Sequence, residues 1–287
     1  MSQQNWRNIY FTSDDGLRLY ARDYGPFDGK YPAVLCLAGL TRNSKDFHHV
    51  ASRLALSRRV IVPDYRGRGL SEYASDWQTY QPHIEMADAL KLLDHSGIDK
   101  FSVIGTSRGG LISMVMGQTI KDRLAGVVLN DIGPKLDDDG LIRIADAIAK
   151  RTEHKDWREV ADSLKDYSIG FSGLSDANWL EFAQNLYREK DGKIEADYDA
   201  NLMKTFPDAD FIRSGRIPQA WDMFESFAGL PVGVIRGQHS DLLSSETVEK
   251  MKQTHEGLIT TTVPNRAHVP FLDEPETVEV IDKVLGC

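Results

Sequence analysis

The sequence predicts an α/β fold with a mainly parallel β-sheet that helices cover on both faces. Short, continuously apolar segments alternate with segments whose apolar residues recur at helical spacing. A hairpin signal precedes this alternation and predicts an antiparallel edge. From Lys135 to about Trp221 the pattern becomes helical and amphipathic, which indicates an insertion.

The first element is the hairpin, because residues 9–12 and 17–24 flank the turn Ser13-Asp14-Asp15-Gly16. Apolar runs predict the strands that follow, at residues 33–40, 60–62, 101–104, 125–130, 231–237 and 257–263. Helical spacing predicts helices at residues 44–56, 84–95, 110–119, 245–255 and 276–285, and within the insertion at 140–150, 156–167 and 176–189.

Composition argues against several partners. The chain has 287 residues and a net charge of −9. No run of apolar residues approaches the length of a membrane span. This charge disfavours nucleic acid, which requires clustered Lys and Arg. No secretory signal is readable, and Cys36 and Cys287 match neither a disulfide framework nor a metal-ligand spacing. We therefore expect a cytoplasmic protein, a monomer or homodimer, that acts on a small molecule without metal or cofactor and without contact to a membrane.

The most informative motif is Gly105-Thr106-Ser107-Arg108-Gly109, a G-x-S-x-G pattern. It follows the apolar run 101–104 and precedes an apolar stretch compatible with a helix. This strand, turn and helix context is that of a nucleophile elbow, in which the turn strains the serine and side chains at the flanking glycines would collide with neighbouring elements. We expect Ser107 to be an exposed nucleophile at the carboxyl edge of the sheet.

An acid and a histidine follow at later strand ends. Asp241 comes after the predicted strand 231–237, and His268 comes after the predicted strand 257–263. The order serine, acid, histidine differs from the orders of the chymotrypsin and subtilisin types. We expect Ser107, Asp241 and His268 to act together, with Asp241 preferred to Asp131, which also follows a strand and stays the alternative acid.

These three residues and their order resemble the triad of the α/β-hydrolase family, over a region from about Phe11 to the C-terminus. The resemblance implies a sheet of about eight strands in a core domain made of residues 1–134 and 222–287. It also implies that residues 135–221 form a helical cap, inserted after the sixth strand, that covers the serine.

The resemblance further implies an oxyanion hole and a structural loop. The strand 33–40 ends in Ala38-Gly39-Leu40, where family members commonly have His-Gly, so the backbone N–H groups of Leu40 and Arg108 are the expected donors. Residues 64–71 look like the family's D-x-R-G-x-G-x-S stretch. We expect Asp64 and Arg66 to pair there and to hold the loop.

Candidate substrate-binding residues come from the predicted cap. Arg213 and Arg216 have the planar guanidinium groups that bind a substrate carboxylate, and Trp157 and Trp179 belong to a set of aromatic residues able to line a pocket. The competing interpretation is that the aromatic residues form the cap's own core and the arginines face solvent.

The combined pattern predicts a serine hydrolase that cleaves a carboxylic ester or lactone of a small organic acid through an acyl-enzyme. A serine at position 107 argues against relatives of this fold that use an aspartate nucleophile. Two alternatives stay open: a C–C bond hydrolase of the meta-cleavage type, and a lyase or ligand-binding protein of the same fold without hydrolytic activity.

Overall fold

The structure, a computed structural model, describes residues 5–27, 30–149 and 153–286; Cys287 lies outside this range. Its strands are β1 (Trp6–Thr12), β2 (Arg18–Tyr24), β3 (Ala33–Leu37), β4 (Val60–Asp64), β5 (Phe101–Thr106), β6 (Leu124–Asn130), β7 (Tyr187–Lys190), β8 (Lys193–Ala196), β9 (Val232–Gly237) and β10 (Ile259–Val263). Its α-helices are α1 (His48–Leu54), α2 (Pro82–His95), α3 (Arg108–Ile120), α4 (Asp138–Ala149), α5 (Trp157–Tyr167), α6 (Asp176–Leu186), α7 (Ala209–Arg213), α8 (Trp221–Glu225), α9 (Ser245–Thr254) and α10 (Pro275–Leu285).

One eight-stranded sheet organises the molecule, in the order β1-β2-β4-β3-β5-β6-β9-β10. The hairpin β1–β2 and the pair β2–β4 are antiparallel, and the other neighbouring pairs are parallel. Every residue of β4 and β5 is buried, as expected for strands with helices on both faces. The predicted fold class is confirmed.

The segment between β6 and β9 joins two strands that are neighbours in the sheet. It contains α4 to α8 and a separate hairpin, in which β7 pairs antiparallel with β8. The expected helix 176–189 is therefore wrong at its end, because α6 ends at Leu186 and an Asp191-Gly192 turn closes the hairpin. The boundaries 135–221 and the cap role stay predictions.

The expected Asp64–Arg66 pair does not form. Asp64 is buried and accepts hydrogen bonds from the N–H groups of Ser44 and Leu70, over 2.7 and 2.9 Å. Arg66 binds the carboxylates of Asp15 and Asp88 instead. The loop is therefore held by two separate sets of bonds, one to the Asp64 carboxylate and one to the Arg66 guanidinium.

No helix in the described ranges is long and apolar enough to cross a membrane.

Helix α3 packs closely on the middle of the sheet, and the two glycines that flank Ser107 make this possible. A Cβ atom at Gly105 would lie 2.6 Å from the carbonyl carbon of Gly109. A Cβ atom at Gly109 would lie 2.6 Å from the carbonyl carbon of Leu37 in β3 and would collide with its oxygen. The start of α3 is therefore in contact with the backbone of two neighbouring strands.

We predict that Gly109→Ala lowers the free energy of unfolding by about 3 kcal/mol, since backbone on both sides must move apart. The intrinsic helix propensity of alanine would favour the opposite result, by about 1 kcal/mol. Denaturant unfolding measures the change. The control is Gly126→Ala in β6, where the new Cβ would meet a side-chain methyl of Val284 at 3.2 Å, and where a smaller loss is expected. Equal losses for both variants would contradict the explanation.

Candidate active site

Ser107 lies between the end of β5 and the first residue of α3, in a conformation that few residues other than glycine adopt. Its φ is 51° and its ψ is −111°. Such conformations are strained and persist where the surrounding structure enforces them. Hydrogen bonds from Ser107 N–H to the carbonyl of Asn130, and from Gly110 and Leu111 N–H to the Ser107 carbonyl, hold the turn. The turn leaves the Ser107 side chain in the wall of a cavity.

The structure brings Ser107 and His268 together and joins them to a buried acid. His268 Nε2 lies 3.0 Å from Ser107 Oγ, and His268 Nδ1 lies 2.8 Å from Asp131 Oδ2. Because a carboxylate only accepts, Nδ1 carries the proton in this arrangement and Nε2 is free to accept from the serine. Asp131 is fully buried.

The expectation that Asp241 would be the acid is wrong in this geometry. Asp241 binds the guanidinium of Arg143 in α4 through both carboxylate oxygens, with Nη2 2.8 Å from Oδ1. Burial alone would raise the pKa of Asp241, but hydrogen bonds and the charge of Arg143 outweigh burial and hold the pKa below its usual value. The alternative residue, Asp131, makes the contact to His268 instead.

Asp131 is held where the ends of β6 and β9 meet. Its φ is 52°, a left-handed conformation that aspartate tolerates better than most residues. Asp131 Oδ1 accepts from Gly237 N–H over 2.7 Å, and Oδ2 accepts from Ser240 Oγ over 2.6 Å. These donors and His268 satisfy both oxygens of the buried carboxylate. The sequence signal was available in part, since Asp131 directly follows a strand.

The two expected oxyanion donors, Leu40 and Arg108, flank the serine. Two cavities border the serine, a larger and a smaller one. Leu40 and Ser107 line both of them, and Arg108 lines the smaller one. Arg108 is the first residue of α3, where backbone N–H groups have no partner within the helix. The Arg108 side chain points elsewhere and binds Glu85 and the Tyr80 carbonyl.

The predicted substrate-binding residues lie away from the cavities. Trp179 is buried and packs with Trp157 in a cluster formed by α5, α6 and β8, so the competing interpretation as core holds for both. Arg213 Nη1 lies 3.8 Å from Asp210 Oδ1, and the guanidinium of Arg216 stacks on the ring of Phe211. None of the four lines either cavity around Ser107, so their assignment as substrate-binding residues is wrong in this structure.

A larger cavity, with a volume of about 370 Å³, opens beside Ser107 and His268. Its charged residues include Arg42, Arg143 and Arg266, which sequence reasoning missed because their position depends on packing of distant elements. Each of the three is paired with an acid, Asp46, Asp241 and Glu274 respectively. Other lining residues are Thr106, Asn130, Ile144, Ile148, Leu174, Phe182, Phe271 and Asp273.

A smaller cavity of about 70 Å³ also borders Ser107. It is lined mostly by apolar side chains, and His268 is not among its lining residues. The walls come from α3, α4 and the segments after β6, before α7 and after β9; they include Leu111, Ile132, Leu136, Leu141, Ile144, Phe206 and Leu242.

Two other groups, Asp273 and Cys36, have pKa values that burial raises. Burial, together with the neighbouring carboxylate of Glu274, raises the pKa of Asp273 in the larger cavity. Burial also raises the pKa of Cys36, which favours its neutral thiol. Within the described part of the chain, no group of three or more His, Cys, Asp or Glu side chains is placed to hold a metal ion.

Comparison with known proteins agrees with this geometry. The sequence profile of a family described as alpha/beta hydrolase fold matches residues 32–275. The chain belongs to this family. The 3-hydroxybutyrate-oligomer hydrolase of Cupriavidus necator is 32% identical to it over 262 residues, which are 88% of each protein. The crystal structure of an alpha/beta hydrolase from Novosphingobium aromaticivorans is 37% identical, with a TM-score of 0.91 over 99% of both chains.

The family and these relatives support hydrolase activity for this alpha/beta hydrolase. The structure of E-2-(acetamidomethylene)succinate hydrolase has a TM-score of 0.79 over 98% of this chain and 100% of that chain. At 22% identity this likeness shows the shared fold alone.

We predict that Asp131→Asn lowers kcat by about ten thousandfold, the size of loss found when a triad aspartate is amidated, because the amide leaves the imidazole in the wrong tautomer. Asp241→Asn serves as the matched control and should change kcat by less than about tenfold. Steady-state kinetics on a p-nitrophenyl ester measure both. A large loss for Asp241→Asn together with an active Asp131→Asn would contradict the observed contact.

Proposed function

We propose that the protein is a serine hydrolase that cleaves carboxylic esters of small organic acids through an acyl-enzyme. The single observation that carries the proposal is the hydrogen-bonded chain from Ser107 Oγ through His268 to the buried Asp131. A serine hydroxyl is a poor nucleophile at neutral pH, so a base must take its proton as it attacks. Neutral His268 has its acceptor nitrogen at 3.0 Å from that oxygen.

The reaction then proceeds in two steps. Ser107 Oγ attacks the ester carbon while His268 Nε2 accepts its proton, and the imidazolium that forms is stabilised by Asp131. The N–H groups of Leu40 and Arg108 bind the oxygen that becomes negative. His268 returns the proton to the departing alkoxide. Water attacks the acyl-enzyme with His268 again as base, which releases the acid and restores Ser107.

The position of His268 supports an assignment of the two cavities. The leaving alcohol must lie next to His268 because it receives the proton from Nε2. His268 lines the larger cavity and not the smaller one. We therefore place the leaving group in the larger cavity and the acyl chain in the smaller, apolar cavity between Ser107 and Phe206.

The C. necator relative supports a narrower substrate class. Its name describes a hydrolase of 3-hydroxybutyrate oligomers. Condensing the carboxyl group of one hydroxy acid with the hydroxyl of the next gives an ester, and each unit contributes a short acyl chain. We propose short oligoesters of small 3-hydroxy acids as substrates. The small acyl cavity suits one unit, and the larger cavity has room for the remainder of an oligomer.

We predict that a fluorophosphonate probe labels the intact protein once, at Ser107, and that Ser107→Ala abolishes both labelling and ester hydrolysis. Peptide mass spectrometry locates the adduct, and release of nitrophenol from p-nitrophenyl butyrate measures turnover. Residual acceleration from the remaining groups should not exceed about a thousandfold over water. Ser113 is the control, because it lies six residues further along the chain in α3, is buried and donates to the Gly109 carbonyl. Full activity in Ser107→Ala would refute a serine hydrolase.

Acyl-chain selectivity tests the assignment of the smaller cavity. In wild type, kcat/KM should be higher for butyrate than for octanoate p-nitrophenyl esters. Phe206→Ala should raise the octanoate-to-butyrate ratio by roughly tenfold or more, because a removed ring gives room for additional methylenes. Phe211→Ala is the matched control, since Phe211 lies in the same segment and lines neither cavity. An unchanged ratio in Phe206→Ala would place the acyl chain elsewhere.

A further inference from the structure

A buried ionic chain lies behind the serine and joins three separate elements. Glu85 in α2 lies between Arg68, in the loop after β4, and Arg108, at the start of α3. Glu85 Oε1 is 2.8 Å from Arg68 Nη1, and Glu85 Oε2 is 2.8 Å from Arg108 Nε. Glu85 and Arg68 are fully buried. The chain thus contains two positive groups and one negative group, almost entirely removed from solvent.

Both arginines also fix the residues that supply the proposed oxyanion donors. Arg68 Nε donates to the carbonyl oxygen of Leu40 over 2.9 Å. Arg108 carries the second donor on its own backbone, and its Nη2 donates to the carbonyl of Tyr80 over 2.9 Å. Glu85 is the group that connects the two arginines. It therefore connects the loop after β3 to the turn after β5.

Glu85 is held in its ionised form. Burial by itself would raise the pKa of Glu85, but the charges of Arg68 and Arg108 and the hydrogen bond from Arg108 outweigh burial and hold the pKa below its usual value. Fully buried ion pairs are a poor source of stability, because apolar side chains of the same volume often stabilise a protein as well or better. The location of this chain points to a function in placing backbone groups.

We propose that Glu85 is a positioning residue that keeps the N–H groups of Leu40 and Arg108 at the spacing that the oxyanion requires. The proposal rests on the proposed function, since only acyl transfer places a developing negative charge at these two groups. The donors follow two different strands and have no short covalent connection between them. Preorganised donors act only when their geometry is correct, and a displacement of about 1 Å costs on the order of a hundredfold in rate.

A second buried ion pair in the same helix provides a matched control. Asp88 lies three residues after Glu85 in α2 and binds Arg66, in the same loop as Arg68, with Asp88 Oδ2 2.7 Å from Arg66 Nε. It is also buried. Asp88 contacts neither Leu40 nor Arg108 through any described bond. Asp88→Asn therefore reports the loss of a buried pair without a change in the ionic chain of Arg68, Glu85 and Arg108, which we call the clamp.

The experiment compares Glu85→Gln with Asp88→Asn in the full-length protein. We expect Glu85→Gln to lower kcat for p-nitrophenyl butyrate by roughly tenfold to a hundredfold, less than the loss of a whole oxyanion donor, with KM within about twofold of wild type. 1,1,1-Trifluoro-2-pentanone, which forms a tetrahedral oxyanion with the serine, should bind more weakly by a similar factor. Butyrate, the product, should bind unchanged. Asp88→Asn should match wild type in all three after correction for the folded fraction.

A spectroscopic readout separates positioning from general destabilisation. The fluorine NMR signal of the bound trifluoromethyl ketone reports the pH at which its hemiketal oxygen ionises. That pH should rise in Glu85→Gln, because less well placed donors stabilise the anion less, and should not move in Asp88→Asn.

Arg108→Met provides a second route if Glu85→Gln does not fold. It removes the side chain from the clamp and keeps both the backbone N–H and the Arg68–Glu85 pair, and it should lower kcat and ketone affinity together. In the double variant Glu85→Gln/Arg108→Met, the losses in kcat and ketone affinity should not add, because both changes break the same connection. Wild-type ketone affinity and hemiketal ionisation in folded Glu85→Gln or Arg108→Met would overturn the clamp. A wild-type protein that is neither labelled at Ser107 nor active on esters would overturn the proposed function, and the clamp with it.

Discussion

The buried carboxylate of Asp131 is the constraint on which the rest of the site depends. An ionised carboxylate without partners in a protein interior costs several kcal/mol, so every donor to it must be in place in the folded chain. Those donors are Gly237 N–H at the end of β9, Ser240 Oγ just beyond it, and His268 after β10. One buried charge therefore fixes the relative positions of three loops at the same edge of the sheet, and His268 reaches Ser107 as a result.

The serine is fixed by a different kind of constraint, which is steric. Its strained backbone occurs because β5 must turn directly into α3 while α3 lies against β3, and this is possible only where Gly109 meets the Leu37 carbonyl without a side chain. Since Leu40 follows β3 and Arg108 begins α3, the same close packing brings the two proposed oxyanion donors near one another. Packing sets the approximate distance between the two backbone segments that carry these donors. The ion pairs of Glu85 with Arg68 and Arg108 join the same two segments.

Local patterns in the sequence predicted the sheet, most helices, the elbow and His268, because each depends on neighbouring residues. The acid could not be predicted in this way. β6 and β9 are neighbours, and an aspartate follows each of them at the same edge. Asp241 is bound by Arg143, which lies 98 positions away in the sequence, so no local pattern shows that its carboxylate is already paired. The role of the aromatic residues of the insertion could not be predicted either, because the same residue types line a cavity or fill a core. The β7–β8 hairpin had a local signal, the turn at Asp191-Gly192, although the residues around it fit a helix too.

The contact between Arg143 and Asp241 has its own consequence for specificity. Ser240 donates to Asp131, and the next residue, Asp241, binds Arg143 in α4 and accepts from Gly140 N–H at the start of that helix over 3.1 Å. Helix α4 also contributes Ile144, which lines both cavities. The loop that orients the acid therefore also fixes the helix between the proposed leaving-group and acyl cavities. A change in α4 that alters substrate choice and leaves His268 in place must keep the backbone hydrogen bond from Gly140 N–H to the Asp241 carbonyl, which Asp241→Asn also leaves intact.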